Sequence, residues 1–214
     1  MLGRNEAYDR VVKNVLLRYI QEDTNFVRQT GPHHVPRFLL NDFARQWWTT
    51  AVDFAYKHRA RFGKGSAIRN LKLRMSRKLI YVSGLLTCFG CDLGFGPIKR
   101  IADCAKPGEV SAHHTSVRER LQPPLETLAG ALLAFDHLDS TARKLLSAYD
   151  GFLGMLTDPT SRKHLEDLEP EQYEADETLK RGRHLSHEFR DGLLELFFDD
   201  RSGLSELTKQ YGVF

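Results

Sequence analysis

Two segments, residues 37–57 and 66–86, repeat their apolar residues at helical spacing yet carry a stripe of polar side chains between apolar flanks. They read FLLNDFARQWWTTAVDFAYK over residues 38–57 and SAIRNLKLRMSRKLIYVSGLL over residues 66–86. An amphipathic surface helix has one wet face and one dry face. A polar stripe bordered by apolar surface on both sides is half-buried, and half-buried charge needs a partner to offset its lost hydration. That partner is either the opposite stripe or an anion from outside. Both segments are therefore expected to be helices packed through their apolar flanks.

The remaining pattern is also helical, with no convincing hairpin signal. Val11, Val12, Val15, Leu16 and Tyr19 give residues 6–21 an apolar face. Residues 24–36 read as a turn, with Pro36 just ahead of the second helix, which is expected to end near Arg61. Ser66 is a suitable cap for the third helix. Gly90, Gly94, Gly96 and Pro97 interrupt it, a short helix is expected over 98–105, and Pro107-Gly108 ends that one. Further helices are expected over 125–138, from Ser140 to 153, from Asp158-Pro159 onward, and over 169–198. The fold class is all-α, a helical bundle of about seven to nine helices. Residues 1–106 form a helical core with the two polar-striped helices and residues 107–214 a helical C-terminal subdomain, unless the two make one continuous domain.

Composition narrows the function classes. The net charge of +3 on 214 residues is too mild for non-specific nucleic-acid binding by the whole molecule. Residues 57–78 are rich in Lys and Arg and contain no Asp or Glu, but Phe62 is their only aromatic, which leaves RNA bases little to stack on. No run of eighteen apolar residues exists, so no transmembrane helix is expected, and the N-terminus lacks the apolar core of a secretory signal. Three cysteines, an odd number, fit a reducing compartment, so a cytoplasmic location is expected. Cys88, Cys91, Cys104 and His113 or His114 are chemically able to close a zinc tetrahedron. Their spacing matches no zinc ribbon, and buried thiols at the end of an apolar helix account for Cys88 and Cys91 as well. His184 and His187 stand at i, i+3 without a third ligand. No HExxH, Walker lysine loop or GxSxG elbow occurs, and the GKGS turn at 63–66 lacks the preceding strand that a phosphate-cradling loop requires. No metal ligand and no catalytic residue is assigned.

On a helical wheel, Asn41, Asp42, Arg45, Gln46, Thr49, Asp53 and Tyr56 share one side of the second helix. On the third, Leu71, Met75, Leu79 and Val82 form one dry face and Leu73 with Ile80 another. Asn70, Arg74, Arg77, Lys78 and Tyr81 run between them, with Arg69, Lys72 and Ser76 on the remaining polar strip. Guanidinium and ammonium groups on a rigid helix, backed by Asn and Tyr donors, suit phosphate oxygens. Arg69, Asn70, Arg74, Arg77, Lys78 and Tyr81 are the candidate phosphate ligands; Asn41, Asp42, Arg45, Thr49 and Asp53 are candidates for orienting them. The competing reading is a structural or protein-interaction bundle in which Asp42 and Asp53 neutralise Arg69, Arg74 or Arg77, and in which residues 192–198 (GLLELFF) dock a partner or a second copy of the chain.

The same residues carry a resemblance. Residues 36–54 and 67–84 resemble the C-terminal helical portion of bacterial predicted nucleotidyltransferases of the polymerase-β-like superfamily. That portion has a region similar to LLND…R…T…VD followed by one similar to RN-K-R-SRKL-Y-G. The matching positions are Asn41, Asp42, Arg45, Thr49 and Asp53, then Arg69, Asn70, Lys72, Arg74, Ser76, Arg77, Lys78, Tyr81 and Gly84. The match covers about fifty residues. It implies a helical domain packed against an N-terminal catalytic domain whose Gly-Ser turn and paired carboxylates hold two divalent metals and a nucleoside triphosphate. This chain departs from that plan: Gly65-Ser66 is followed by no pair of acids within twenty-five residues, and Asp92 stands alone. The expectation is a helical accessory domain, non-catalytic alone, with magnesium and nucleotide entering only alongside a catalytic domain or chain, and with nucleotide as a ligand of the basic stripe.

Overall fold

The structure is a computed structural model in which Asn14 and residues 33–60, 63, 65–95 and 123–212 are described. The helix expected over residues 6–21 lies, but for Asn14, outside them. So do the helix expected over 98–105, the boundary expected near residue 106, and Cys104, His113 and His114.

The protein is an all-α helical bundle, with seven helices and no strand among the described residues. Helix α1 is Arg37–Ala60. Helix α2 runs unbroken through three segments: α-helical Ser66–Lys72, a π-helical turn Leu73–Arg77, and α-helical Lys78–Leu93. Then follow α3 (Pro124–Leu133), α4 (Asp139–Thr157), α5 (Pro159–Asp167), α6 (Glu177–Phe197) and α7 (Leu204–Tyr211). None of these helices is long and apolar enough to cross a membrane.

Two compact units divide the chain: residues 1–44, 82–134 and 214 in one, residues 45–81 and 135–213 in the other. In the first unit the start of α1 buries Leu39, Leu40 and Ala44, and the second half of α2 buries Val82, Leu85, Leu86, Cys88, Phe89 and Cys91. Helix α2 therefore continues through Gly90, which the sequence pattern treats as a break. Gly84 sits under Phe43 so closely that a Cβ there would lie 2.5 Å from the Phe43 ring. The glycine serves helix contact, not helix termination. The helix stops at Leu93, and Gly94 follows at φ 63°. Asp92 holds the approach to α1, accepting from the His34 amide at 2.7 Å and lying 3.0 Å from His33 Nδ1.

In the second unit α4 and α6 are antiparallel neighbours. Leu145 lies against Gly192, Tyr149 packs on Phe189 with ring centroids 5.7 Å apart, and Leu185 lies against Gly151. Thr141 and Lys144 both bond Glu195 at the far end of the pair. Fully buried Phe152, Phe189, Leu145 and Leu165 fill the interior, each worth about 1.5–3 kcal/mol of apolar burial. The first half of α2 lies on α6 through Leu71 and Gly182. Helix α6 begins later than its pattern implies. Pro170–Gln172 is a short 3₁₀ turn, and Asp176 caps the helix by accepting from the Leu179 amide at 2.7 Å. Gly203 at φ 78° opens α7, an element absent from the sequence reading.

Candidate functional site

The link between α1 and α2 is built first. Gly63 and Gly65 take left-handed conformations, φ 82° and 61°, which bring the chain round in three residues. Tyr173 anchors this turn. Its hydroxyl donates to the Gly63 carbonyl at 3.2 Å, so the 2.6 Å bond to Ser66 is donated by the serine. Ser66 thus does not cap the helix with its side chain; Gly65 holds the cap position, and its carbonyl accepts from Arg69 Nε at 2.9 Å.

The turn sets α1 beside the first part of α2 with a cleft of about 330 Å³ between them, lined by Thr49, Thr50, Asp53, Phe54, Lys57, Arg69, Lys72, Leu73 and Arg77. Of the residues singled out in the sequence, Thr49, Asp53, Arg69, Lys72 and Arg77 meet here. Four cationic side chains face a single carboxylate. Asp53 is already taken by Lys57, one helical turn away at 2.7 Å. The Thr49 and Thr50 hydroxyls donate to the Arg45 and Gln46 carbonyls of their own helix. Lys72 and Arg77 meet no carboxylate among the described residues. The cleft holds a positive surplus in a partly sheltered setting, where a bound anion interacts more strongly than it would in open water.

The other expected ligands are distributed differently. Asn70 and Arg74 face the opposite flank of α2, toward α6, in a second cleft of about 420 Å³. Lys78 is half-buried; burial, then the guanidinium groups of Arg74 and Arg190, hold its ammonium below the ordinary lysine value. Tyr81 lays its ring on Trp47, centroids 5.5 Å apart and nearly parallel, and burial pushes its phenol up. It is a packing residue first. Asn41, Asp42 and Arg45 are exposed on the first turns of α1 and line neither cleft. The second dry face expected on α2 is not sealed: Leu79 is buried, Leu73 is only half-buried and Ile80 is exposed.

Ordinary helical spacing starts this division, since Arg69 and Lys72 already point away from Asn70, and a π-turn follows them. The Lys78 amide donates to the Leu73 carbonyl five residues back, so the turn holds one residue more than an α-helical turn and offsets the faces on either side of it. It shifts only the residues that follow it, Lys78 and Tyr81 among them, relative to Arg69, Asn70 and Lys72 before it. π-turns recur at functional sites, and this one spans the segment LRMSR that carries Arg74 and Arg77. Sequence periodicity does not reveal it. Nor does periodicity reveal the facing stripe: Arg183, His187 and Arg190 stand at i, i+4, i+7 on α6, more than a hundred residues away. Their spacing is visible in the sequence, but their opposition to Arg74 and Lys78 is not.

Cys88 and Cys91 are fully buried. Burial, then the neighbouring Cys91, pushes the Cys88 thiol well up, and Cys91 Sγ donates to the Thr87 carbonyl. Among the described residues, no three His, Cys, Asp or Glu side chains are grouped to hold a metal ion. Comparison with protein-family models, with curated protein sequences and with solved structures finds no match for this chain.

Proposed function

We propose that this chain is a helical accessory domain of nucleotidyltransferase type, non-catalytic alone, that binds the phosphate chain of a nucleotide or of an acceptor substrate between α1 and α2. The observation that carries the reading is the cleft in which Lys57, Arg69, Lys72 and Arg77 face Asp53 alone. A triphosphate offers anionic oxygens that Lys72 and Arg77 do not meet among the described residues, and Arg77 presents a planar fork of donors suited to them. The resemblance of residues 36–54 and 67–84 to the helical portion of such enzymes points to the same ligand class.

Thermal unfolding with ATP, GTP, CTP and UTP, each with and without magnesium, tests it. A ligand at a hundred times its dissociation constant stabilises by about 2.7 kcal/mol, which for a chain of this length raises the melting temperature by roughly 5–10 °C. Losing a charge-assisted hydrogen bond costs about 1.5–3 kcal/mol, so Arg77→Ala is expected to weaken binding by about tenfold to a hundredfold. Failure of all four nucleotides to shift the melting temperature, with Arg77→Ala identical to wild type, refutes the proposal. The purely structural reading draws on the C-terminal half, where charges do pair within the chain: Arg162 with Glu166, Lys180 with Glu177 and Lys144 with Glu195. It leaves Lys72 and Arg77 unexplained.

A further inference from the structure

The flank of α2 that faces α6 is a like-charge seam. Arg74 and Lys78 stand one turn apart on α2, and Arg183, His187 and Arg190 occupy the facing strip of α6. Arg183 leans on Glu174 at 3.3 Å, and Arg190 folds back onto Asp191, with Nη2 at 2.7 Å. Arg74 and Lys78 meet no carboxylate among the described residues. The contact of Arg74 is instead His187, with Nη1 3.4 Å from Nε2. A guanidinium has only donors, so in this contact Nε2 is the acceptor. Protonating Nε2 would break this contact and place a third positive charge beside Arg74 and Lys78. An anion seated between them reverses that sign.

We propose that this seam is a second anion site, separate from the cleft between α1 and α2, which takes a phosphomonoester-class dianion on Arg74, Lys78 and His187 with uptake of one proton by His187. The adjoining cleft of about 420 Å³ leaves room for the group that carries the phosphate. Asn70 offers it an amide, and Phe54, stacked on His58 with ring planes 15° apart, offers it a flat apolar wall. The titratable groups facing His187 are few. Arg74 and Lys78 come from α2, His58 from α1, Tyr173 and Glu174 from the segment before α6, and Arg183 and Arg190 from α6 itself. Glu174 projects into solvent, 91 % exposed, and is shared with Arg183, so it leaves the seam positive. Proton and phosphate binding are reciprocal: whatever factor phosphate adds to proton affinity, the proton adds to phosphate affinity. The depressed ammonium of Lys78 agrees with a seam short of negative charge.

The test uses the full chain labelled with nitrogen-15, its His187 ring signals assigned by their loss in His187→Gln. Ring resonances are followed against pH in saturating inorganic phosphate and in sodium chloride of equal ionic strength. Phosphate is expected to raise the His187 midpoint by about one pH unit over chloride, equivalent to about tenfold tighter phosphate binding by the protonated form. Arg74→Gln is expected to abolish the rise and Lys78→Gln to reduce it. Equal midpoints in phosphate and chloride overturn the proposal, as does an undiminished rise in Arg74→Gln. The outcome is independent of the nucleotide test, which reads the other flank of α2.

Discussion

Substitution of Gly182 by alanine tests the contact that places the π-turn against α6. Gly182 lies inside α6, where alanine is favoured over glycine by about 1 kcal/mol on helix propensity alone. Its position is closed by α2: a Cβ there would lie 2.6 Å from Leu71 Cδ1, 3.1 Å from Cδ2 and 3.3 Å from Met155 Cε. Leu71 is 1 % exposed and cannot swing into solvent without leaving a void. Overpacking of this kind costs about 1–3 kcal/mol, which outweighs the propensity gain across most of that range. Gly182→Ala is therefore expected to destabilise by up to about 2 kcal/mol. Gly154 in α4 is the control, because a Cβ there meets nothing within 4 Å. Gly154→Ala is expected to stabilise by about 0.5–1 kcal/mol. Urea unfolding followed by circular dichroism gives both values from the shift in midpoint at constant slope. Gly182→Ala as stable as Gly154→Ala would refute the claimed closeness of α2 to α6, and the like-charge seam would lose its structural basis with it.

Two other outcomes follow from the charges and thiols. Asp199 is pushed up by burial but held lower overall by His137 and the Ser202 amide. Asp176 is likewise raised by burial, then lowered by the Leu179 amide and His164. A carboxyl whose folded value lies below its unfolded value stabilises at neutral pH, and that stability is lost as pH falls through the folded value. The urea midpoint is thus expected to drop between about pH 5 and pH 2, less steeply in Asp199→Asn; an equal slope in the variant counts against the assignment. Cys88 and Cys91 are expected to alkylate about a hundredfold more slowly in the folded chain at neutral pH than in urea, as read by mass spectrometry of their shared peptide. Rapid labelling of the folded chain would show the end of α2 to be open.

The helices themselves were legible because their signals are local. Pro159 after Asp158 marks the start of α5, and the Asp158 carboxylate does accept from the Thr160 and Ser161 amides. The spacing of Leu71, Met75, Leu79 and Val82 names the buried face of α2, and all four are at most 4 % exposed. What failed was inference from residue type without its neighbour. Gly90 read as a breaker, but the buried Leu85, Leu86, Phe89 and Cys91 around it carry α2 on to Leu93. Residues 192–198 read either as a docking cluster or as core, and Gly192, Leu193, Leu196 and Phe197 are core, with Leu194 and Phe198 exposed. The site was half legible for the same reason. Composition shows a cation surplus along 57–78, but not which of two clefts each cation lines, and no periodicity in residues 73–77 announces the π-turn between them.

That division bears on why the surplus persists at all. Cations of α6 have carboxylates at hand, Glu174 for Arg183, Glu177 for Lys180 and Asp191 for Arg190. An exposed pair of this kind contributes at most about 1 kcal/mol, so such pairing is a matter of local charge balance more than stability. Residues 66–91 of α2 contain no acid at all, although acids at i, i+4 would balance its cations as readily as they do on α6. Nothing in the packing forbids them, since Arg74, Arg77 and Ile80 are exposed. A helix held only by its apolar face gains nothing from excluding acids on its polar flanks. A helix that must receive an anion on both flanks does, because each carboxylate there would repel the ligand and occupy the donors meant for it. The absence of acid from residues 66–91, set against its abundance on α6, is the charge pattern that the two proposed anion sites require.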